Sequence, residues 1–216
     1  MENKYKLAIF DLDGTLLDTL EDLMLSVNEI LKRNNFPTRS LEEIRQFVGN
    51  GTLKLMERSL PSDLTKDDVA KYHEEFKKYY DMHCNDTTKP YDDILEVLNT
   101  LKDRGVVLAM LSNKPDFAVK KLNAIYFGDI FTIARGALPD VPTKPAPDSV
   151  NKIMEDLSIS KADTVYIGDS DVDINTAKNA KIAEIAVTWG FRDKDFLVKN
   201  GANTFANKCS DLLNLI

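Results

Sequence analysis

The stretch that decides the fold is LAIFDLDGT, residues 7–15, in which a short apolar run stops at two carboxylates one residue apart. The run 7–10 is continuous and apolar, as is typical of a strand buried inside a parallel sheet. Residues i and i+2 of a strand point to the same side, so we expect Asp11 and Asp13 to project together from its carboxyl end. Two acids placed so close repel each other, which predicts a cation beside them.

The composition is that of a folded, acidic protein. The 216 residues include 28 Lys and Arg against 35 Asp and Glu, a net charge of −7, which argues against nucleic acid or an anionic membrane as the main partner. No window approaches the ~20 apolar residues of a membrane span, and the polar start Met1–Lys4 does not resemble a signal peptide. Cys84 and Cys209 are the only cysteines, so we expect free thiols and a cytoplasmic location. The sequence does not indicate an oligomeric state.

Strand and helix patterns alternate along most of the chain. Four further apolar segments have the length of buried strands: Val106–Leu111, Ile130–Ala134, Thr164–Ile167 and Ile182–Val187. Helical patterns alternate with them, over Ile94–Leu101, Phe117–Tyr126, Ser149–Leu157 and Asp171–Ala180. This alternation predicts an α/β fold with a doubly wound, mainly parallel, Rossmann-like sheet.

Residues 17–86 break this rhythm and predict an all-helical insert. Three pairs have the spacing of a capping box, which marks helix starts: Thr19 with Asp22, Ser40 with Glu43, and Thr65 with Asp68. Apolar stripes of helical period run over 20–31 and 69–79, with no convincing strand between them. We therefore predict a core domain of residues 1–16 and 87–216, and a helical cap domain of residues 17–86.

Polar residues with useful chemistry follow four of the predicted strands. They are Asp11 and Asp13 after the first, Ser112 and Asn113 after the second, Lys144 after the third, and Asp169 with Asp173 after the fourth. Ligands bind outside the carboxyl ends of strands in open α/β sheets, so we expect these groups to converge on one crevice. Carboxylates gathered there need a cation, and Mg²⁺ prefers oxygen ligands and a substrate phosphate. With a lysine and neutral donors added, the set indicates phosphoryl transfer, in which one carboxylate attacks and a second acid moves protons.

Four motifs resemble, in order and spacing, those of the haloacid dehalogenase superfamily. They are Asp11–Thr15, Ser112–Asn113, Lys144–Pro145 and Gly168–Asp173. The helical insert lies where that superfamily carries its small α-helical cap. Additional segments look like the phosphoglycolate phosphatase-like branch: Leu16–Thr19, Val48–Gly51, Ser112–Pro115 and Lys144–Asp148.

The resemblance implies roles for the acids and the lysine. Asp11 would be the nucleophile that becomes phosphorylated. Asp13 would protonate the leaving oxygen and then activate water, and its backbone carbonyl would bind Mg²⁺. Lys144 would neutralise charge on Asp11 and the phosphate. In the family, dehalogenases carry a tyrosine at the position of Asp13 and phosphonatases a small residue, so the resemblance favours a phosphatase.

The resemblance also implies how the phosphoryl group and the metal are held. Thr15, Ser112 and Asn113 would hold or orient the phosphoryl group. Asp169 would ligate the metal, and Asp173 would support the metal site from behind the ligands.

Other roles rest on the residues themselves. Asp173 stands three residues after Ser170, so it also has the spacing of a capping box. Gly49 and Asn50 form a turn between cap helices, and a substrate-facing role for them is the open alternative.

The expected function is a Mg²⁺-dependent phosphatase that cleaves a small phosphate monoester through an aspartyl-phosphate intermediate. Phosphoglycolate is the first substrate that the resemblance suggests. Alternatives are a phosphotransferase of the β-phosphoglucomutase type, a pyrophosphatase or nucleotidase, and, more remotely, a non-catalytic phosphoacceptor module. We expect the cap to close over the site on hinges at Leu16–Asp18 and Asp86–Pro90.

Overall fold

The fold is built around a parallel sheet, seen in a computed structural model that describes residues 3–216. Met1 and Glu2, which begin the polar start, lie outside the described residues. The strands are β1 (Leu7–Phe10), β2 (Leu17–Asp18), β3 (Lys89–Pro90), β4 (Val107–Pro115), β5 (Ile133–Ala137), β6 (Thr164–Gly168), β7 (Ala183–Val187) and β8 (Phe205–Ala206).

Strand β1 lies in the middle of the six-stranded sheet, whose order is β5-β4-β1-β6-β7-β8. Every pairing in this sheet is parallel, with Leu7 of β1 opposite Val107 on one side and Thr164 on the other. The carboxyl ends of β1, β4 and β6 therefore meet at one edge, as the predicted α/β fold requires. The mainly parallel sheet is confirmed.

Helices cover both faces of the sheet. They are α1 (Leu20–Arg33), α2 (Leu41–Phe47), α3 (Thr52–Ser59), α4 (Lys66–His83), α5 (Ile94–Asp103), α6 (Asp116–Tyr126), α7 (Asp148–Leu157), α8 (Asp171–Ala180), α9 (Lys194–Lys199) and α10 (Leu212–Leu215), with 3-10 turns at Lys161–Asp163 and Cys209–Asp211. Ala8 and Phe10 pack on the face covered by α5 and α6, and Leu7 and Ile9 on the face covered by α7 and α8. Burial on both faces explains why this strand is apolar throughout.

Several strand boundaries differ from the prediction, most of all in β4 and β5. Strand β5, predicted to start at Ile130, begins three residues later at Ile133. The Ile130 N–H donates to the Phe127 carbonyl in a turn, and Phe131 packs into the core. Strand β4 does not end at Leu111, as predicted, but continues to Pro115. Its pairing with β5 changes register between these two residues.

The insert is helical, with α1 to α4 packed around one apolar cluster. The capping boxes predicted at Ser40 and Thr65 are both formed. The box predicted at Thr19 and Asp22 is wrong: Thr19 precedes α1 without a side-chain cap, and its hydroxyl donates to Asp13 Oδ1 at 2.6 Å. The Thr19 hydroxyl therefore contacts one of the predicted site residues, Asp13, instead of capping α1. The division into a core and a cap at residues 17–86 stays a prediction.

The two segments that join the insert to the sheet pair with each other. Strands β2 and β3 form an antiparallel ribbon, with Leu17 opposite Pro90 and Asp18 opposite Lys89. The insert predicted over residues 17–86 therefore begins with two strand residues before its first helix. Asp22 of α1 holds the segment that leads into β3. Its carboxylate accepts hydrogen bonds at 2.7–2.9 Å from the backbone N–H and hydroxyl groups of Thr87 and Thr88.

No helix within residues 3–216 combines the length and apolarity that crossing a membrane requires. Cys84 and Cys209 are both buried and unpaired, as expected.

Candidate active site

One cavity of about 50 Å³ opens between the carboxyl edge of the sheet and the cap. Its core-side lining includes Asp11, Asp13, Ser112, Asn113, Lys114, Lys144, Asp169, Ser170, Phe191 and Arg192. Its cap-side lining is Leu23, Val48, Gly49, Gly51, Thr52 and Leu55. Four predicted strand ends thus converge on a single crevice.

Three predicted residues lie outside this lining. Thr15 is fully buried, with its hydroxyl 3.4 Å from Asp169 Oδ1. Asp173 is buried behind Lys144. Asn50 lines a neighbouring outer groove, where its side-chain oxygen accepts a hydrogen bond from Arg58. Of the two cap residues predicted to face the substrate, only Gly49 lines the cavity.

Lys144 joins two buried carboxylates. Its ammonium lies 2.9 Å from Asp11 Oδ1 and 2.7 Å from Asp173 Oδ1. Burial alone would lower the pKa of Lys144, but the charges of Asp11 and Asp173 outweigh burial and raise this pKa well above its ordinary value. Lys144 is therefore a fixed cation beside Asp11.

Asp11 is poised between its charged and neutral forms. Burial raises the pKa of Asp11 to about 7, with the charges of Asp173 and Asp13 adding to the effect and Lys144 opposing it. Asp11 Oδ1 accepts hydrogen bonds from the Leu12 N–H at 2.7 Å and from Lys144. Within residues 3–216 these hydrogen bonds are made at Oδ1 and none is made at Oδ2, and Asp11 lines the cavity.

Asp169 is held in a tight backbone frame. The Phe191 N–H donates to Asp169 Oδ2 at 2.7 Å. A Cβ at Gly14 would lie 2.4 Å from Asp169 Oδ2, and one at Gly190 would lie 2.3 Å from Asp169 Cβ, so only glycine leaves room for this carboxylate. Burial first, and then the charges of Asp173 and Asp11, raise the pKa of Asp169 well above its ordinary value.

Three of these acids present oxygens to a common point. One carboxylate oxygen from each of Asp11, Asp169 and Asp173 lies within 4.8 Å of the others. Each oxygen of Asp173 already has a donor, since Oδ1 accepts from Lys144 and Oδ2 from the Ser170 N–H and hydroxyl. Asp11 and Asp169 line the cavity, whereas Asp173 lies behind Lys144, so the first two are the acids placed to hold a metal ion. Asp173 serves both as a capping residue of α8 and as a partner of Lys144.

Lys114 is a functional candidate that sequence reasoning missed. Its ammonium donates to Asp13 Oδ1 at 2.6 Å, next to the Thr19 hydroxyl on the same oxygen. Burial alone would lower the pKa of Lys114, but the charge of Asp13 prevails and raises it above its ordinary value. The ammonium also lies 4.8 Å from the ring centroid of Tyr80, a fully buried residue of cap helix α4. Lys114 lies in the segment Ser112–Pro115, which resembles the phosphatase branch, but the sequence of this segment does not indicate which carboxylate the lysine contacts.

Ser112 and Asn113 hold the surrounding backbone. Asn113 Oδ1 accepts from the Lys144 N–H at 2.8 Å, and its Nδ2 donates to the carbonyls of Lys144 at 3.0 Å and Gly49 at 3.2 Å. The Ser112 hydroxyl accepts from the Lys114 N–H and lies 3.5 Å from Asp13 Oδ2. Asn113 thus ties the lysine loop to the cap loop, which is a contact that no sequence pattern announces.

Comparison with known proteins agrees with this geometry. The haloacid dehalogenase-like hydrolase family matches residues 8–187. A phosphoglycolate phosphatase of Vibrio parahaemolyticus is 32% identical over 98% of this chain and 96% of its own length. A crystal structure from Lactobacillus delbrueckii subsp. bulgaricus, of a protein provisionally called phosphoglycolate phosphatase, is 36% identical with a TM-score of 0.94 over 99% of both chains. The structure of a predicted phosphoglycolate phosphatase from Haemophilus somnus is 28% identical, with a TM-score of 0.90 over 99% of this chain and 98% of that one.

The chain belongs to the haloacid dehalogenase-like hydrolase family. It is a phosphatase, and within the family it is similar to the phosphoglycolate phosphatases.

Proposed function

We propose that the protein is a Mg²⁺-dependent phosphatase that hydrolyses a small phosphate monoester through an aspartyl-phosphate on Asp11. The observation that carries the proposal is the separation of two lysine–carboxylate pairs in one cavity. Lys144 lies beside Asp11, and Lys114 lies beside Asp13. Two carboxylates with different partners can take two different roles, one as nucleophile and one as proton carrier.

The charge balance of the site supports a divalent cation. Asp11, Asp13, Asp169 and Asp173 bring four negative charges when ionised. Lys114, Lys144 and Arg192 bring three positive ones, which leaves one negative charge uncompensated before a phosphate enters. Carboxylate oxygens are ligands that Mg²⁺ prefers. Asp11, Asp169 and the backbone carbonyl of Asp13 would hold the ion, which would neutralise negative charge on the phosphoryl oxygens when bound.

The first step forms the phosphoenzyme. Asp11 Oδ2 attacks the phosphorus, and the bond from phosphorus to the leaving oxygen breaks while Asp13 gives that oxygen a proton. Lys144 keeps Asp11 Oδ1 in place and compensates charge as the new bond forms. The Lys114 ammonium and the Thr19 hydroxyl fix the rotamer of Asp13 for this transfer.

The second step releases phosphate. Asp13, now a carboxylate, takes a proton from water, and the resulting hydroxide attacks the phosphorus of the aspartyl-phosphate. The phosphorus–oxygen bond to Asp11 breaks, which restores its carboxylate and liberates inorganic phosphate. Thr15, Ser112 and Asn113 act as positioning residues, because their side chains hold Asp169, Lys114 and Lys144.

The size of the cavity favours a small leaving group. A volume of about 50 Å³ is room for roughly four water molecules. This conformation therefore leaves little space beyond the phosphoryl group and disfavours a leaving group as large as a nucleoside or a hexose. Phosphoglycolate is our first choice, and the names of the relatives point the same way.

The proposed cap of residues 17–86 encloses this cavity from above. Gly49, Gly51 and Thr52 line it from the loop between α2 and α3 and the first turn of α3. Motion about the β2–β3 ribbon would admit substrate and release product, and closure would exclude bulk water from the phosphoenzyme.

The test is a phosphate-release assay over a panel of phosphorylated metabolites with Mg²⁺ present. We expect the highest kcat/KM with phosphoglycolate or another phosphate of similar size. A preference for a hexose 1-phosphate with isomer formation instead of phosphate release would contradict hydrolysis as the main reaction. No turnover with any member of the panel would contradict the proposed function altogether.

A further inference from the structure

One short loop, Thr188–Arg192, contacts the acids of the site and the cap at the same time. It follows β7 and precedes α9, and we call it the junction loop. Sequence reasoning gave it no role. It contains the only tryptophan of the chain, Trp189.

The junction loop is packed against the loop that carries the nucleophile. The Trp189 Nε1–H donates to the Thr15 carbonyl at 3.1 Å. A Cβ at Gly190 would lie 2.4 Å from the Gly14 carbonyl oxygen as well as 2.3 Å from Asp169. At this distance even a methyl group is excluded, so the junction loop is in direct contact with Gly14 and Asp169.

Two arginines, one from the cap and one from the junction loop, join these two parts of the chain by hydrogen bonds. Arg45 of α2 donates from Nε to the Phe191 carbonyl at 2.7 Å and from Nη2 to the Gly190 carbonyl at 3.1 Å. Arg192 reaches the other way and donates to the carbonyls of Arg45, Gln46 and Val48 at the end of α2. Charged donors make hydrogen bonds about twice as strong as neutral ones, and a cation at a helix C-terminus gains from the helix dipole.

A single peptide group connects these two sets of contacts. The peptide that joins Gly190 to Phe191 accepts a hydrogen bond from Arg45 at its carbonyl and donates one to Asp169 Oδ2 at its N–H. A hydrogen bond at one end of a peptide polarises the group and strengthens the bond at its other end.

We infer that Arg45 is a positioning residue through which closure of the cap sets the Asp169 carboxylate, with the Gly190–Phe191 peptide as the link. The inference rests on the proposed function, because it treats Asp169 as a metal ligand. When the cap opens, Arg45 leaves the loop and the peptide loses its orientation. Coupling of this kind is reciprocal, so occupation of the metal site also favours cap closure.

The test is a titration of the intact protein with Mg²⁺ alone. Binding is measured by calorimetry and by the fluorescence emission of Trp189. We compare the wild type with Arg45→Met and with the matched control Arg39→Met. Arg39 also donates to a backbone carbonyl, that of Ser59 at 2.8 Å, but this contact stays within the cap. We expect Arg45→Met to raise the Mg²⁺ dissociation constant about tenfold, as losses of residues that orient metal ligands do, and to change the starting emission. Arg39→Met should match the wild type in both readouts.

A conservative variant keeps the test open if Arg45→Met fails to fold. Arg45→Lys retains the charge but makes one contact where the arginine makes two, so its Mg²⁺ affinity should lie between those of the wild type and Arg45→Met. Equal Mg²⁺ affinity in the wild type, Arg45→Lys and Arg45→Met, in protein that releases phosphate normally, would overturn the inference and leave the proposed function intact. A wild type that binds no Mg²⁺ and shows no turnover would overturn both.

Discussion

The two halves of the site are held in different ways. Asp11, Lys144 and Asp173 form one half, whose three side chains contact one another at the edge of the sheet and the first turn of α8. Asp13 and Lys114 form the other half, which also needs the Thr19 hydroxyl before α1 and the Tyr80 ring of α4. We call these the nucleophile half and the proton-transfer half.

This difference separates two demands on the enzyme. A nucleophile must be desolvated and fixed before substrate arrives, which a rigid sheet edge achieves. Proton transfer to the leaving group is useful only when substrate is enclosed, and groups from the cap complete this half. The predictions below test the division, from the largest expected effect to the smallest.

Removal of the nucleophile should abolish activity. Asp11→Asn keeps the shape of the side chain but cannot form the phosphoenzyme, so we expect kcat on p-nitrophenyl phosphate to fall by about 10⁴-fold or more. The measurement is phosphate release, with thermal unfolding as the control that the fold persists. Activity above a few per cent of the wild type would remove Asp11 from this role.

Removal of the metal ion should abolish phosphatase activity, since both halves act on a phosphate that the ion helps to bind. With EDTA present, the uncompensated negative charge of the site opposes the approach of a phosphate dianion, so we expect activity to be lost and then restored by added Mg²⁺. Sustained turnover by a protein shown by elemental analysis to be metal-free would contradict the metal site.

The two lysines should respond differently to the leaving group. Lys114→Met disturbs proton transfer through Asp13, so kcat should fall by about 10²-fold with an alkyl phosphate and much less with p-nitrophenyl phosphate, whose leaving group needs little protonation. Lys144→Met removes charge compensation from Asp11 and should slow both substrates alike. The measurement is kcat for each variant on the two substrates. An equal response of Lys114→Met to the two substrates would break the division into halves.

The smallest expected effect is on the stability of the folded protein and concerns Glu184, whose pKa responds to Asp173 of the nucleophile half. Burial, with the charge of Asp173 adding to it, raises the pKa of Glu184 to about 7 from the ordinary 4.5. A raised folded-state pKa means that the folded protein holds the proton longer, so stability falls as the pH rises from about 4.5 to about 7. Glu184→Gln should therefore stabilise the protein at pH 8, by on the order of 1 kcal/mol because Glu184 is only half-buried, and leave it nearly unchanged at pH 4. Chemical denaturation at the two pH values measures this, and equal shifts at both would contradict it.

The sequence predicted the nucleophile half far better than the proton-transfer half. The acids and Lys144 follow buried strands, and the carboxyl ends of parallel strands meet, so local patterns were enough to bring them together. The Lys114–Tyr80 contact joins α4 of the cap to β4 of the core, and no local period encodes such a pairing.

Two misread residues show the same limit. Thr19 and Asp22 have the spacing of a capping box, but the structure uses both side chains for distant partners, Asp13 and the Thr87–Thr88 segment. Tertiary contacts outweighed a local propensity worth only about 1 kcal/mol. The ribbon of β2 and β3 was missed for a related reason, because strands of two residues leave no alternation to detect.

The central claim is that Asp11 carries the phosphoryl group, and acid quenching of the enzyme during turnover with Mg²⁺ tests it most directly. Proteolysis and mass spectrometry then locate any added phosphoryl group. We expect the peptide that contains Asp11 to gain the mass of one phosphoryl group in the wild type and to gain none in Asp11→Asn. A phosphoryl group on another residue, or turnover by Asp11→Asn at the wild-type rate, would contradict the account.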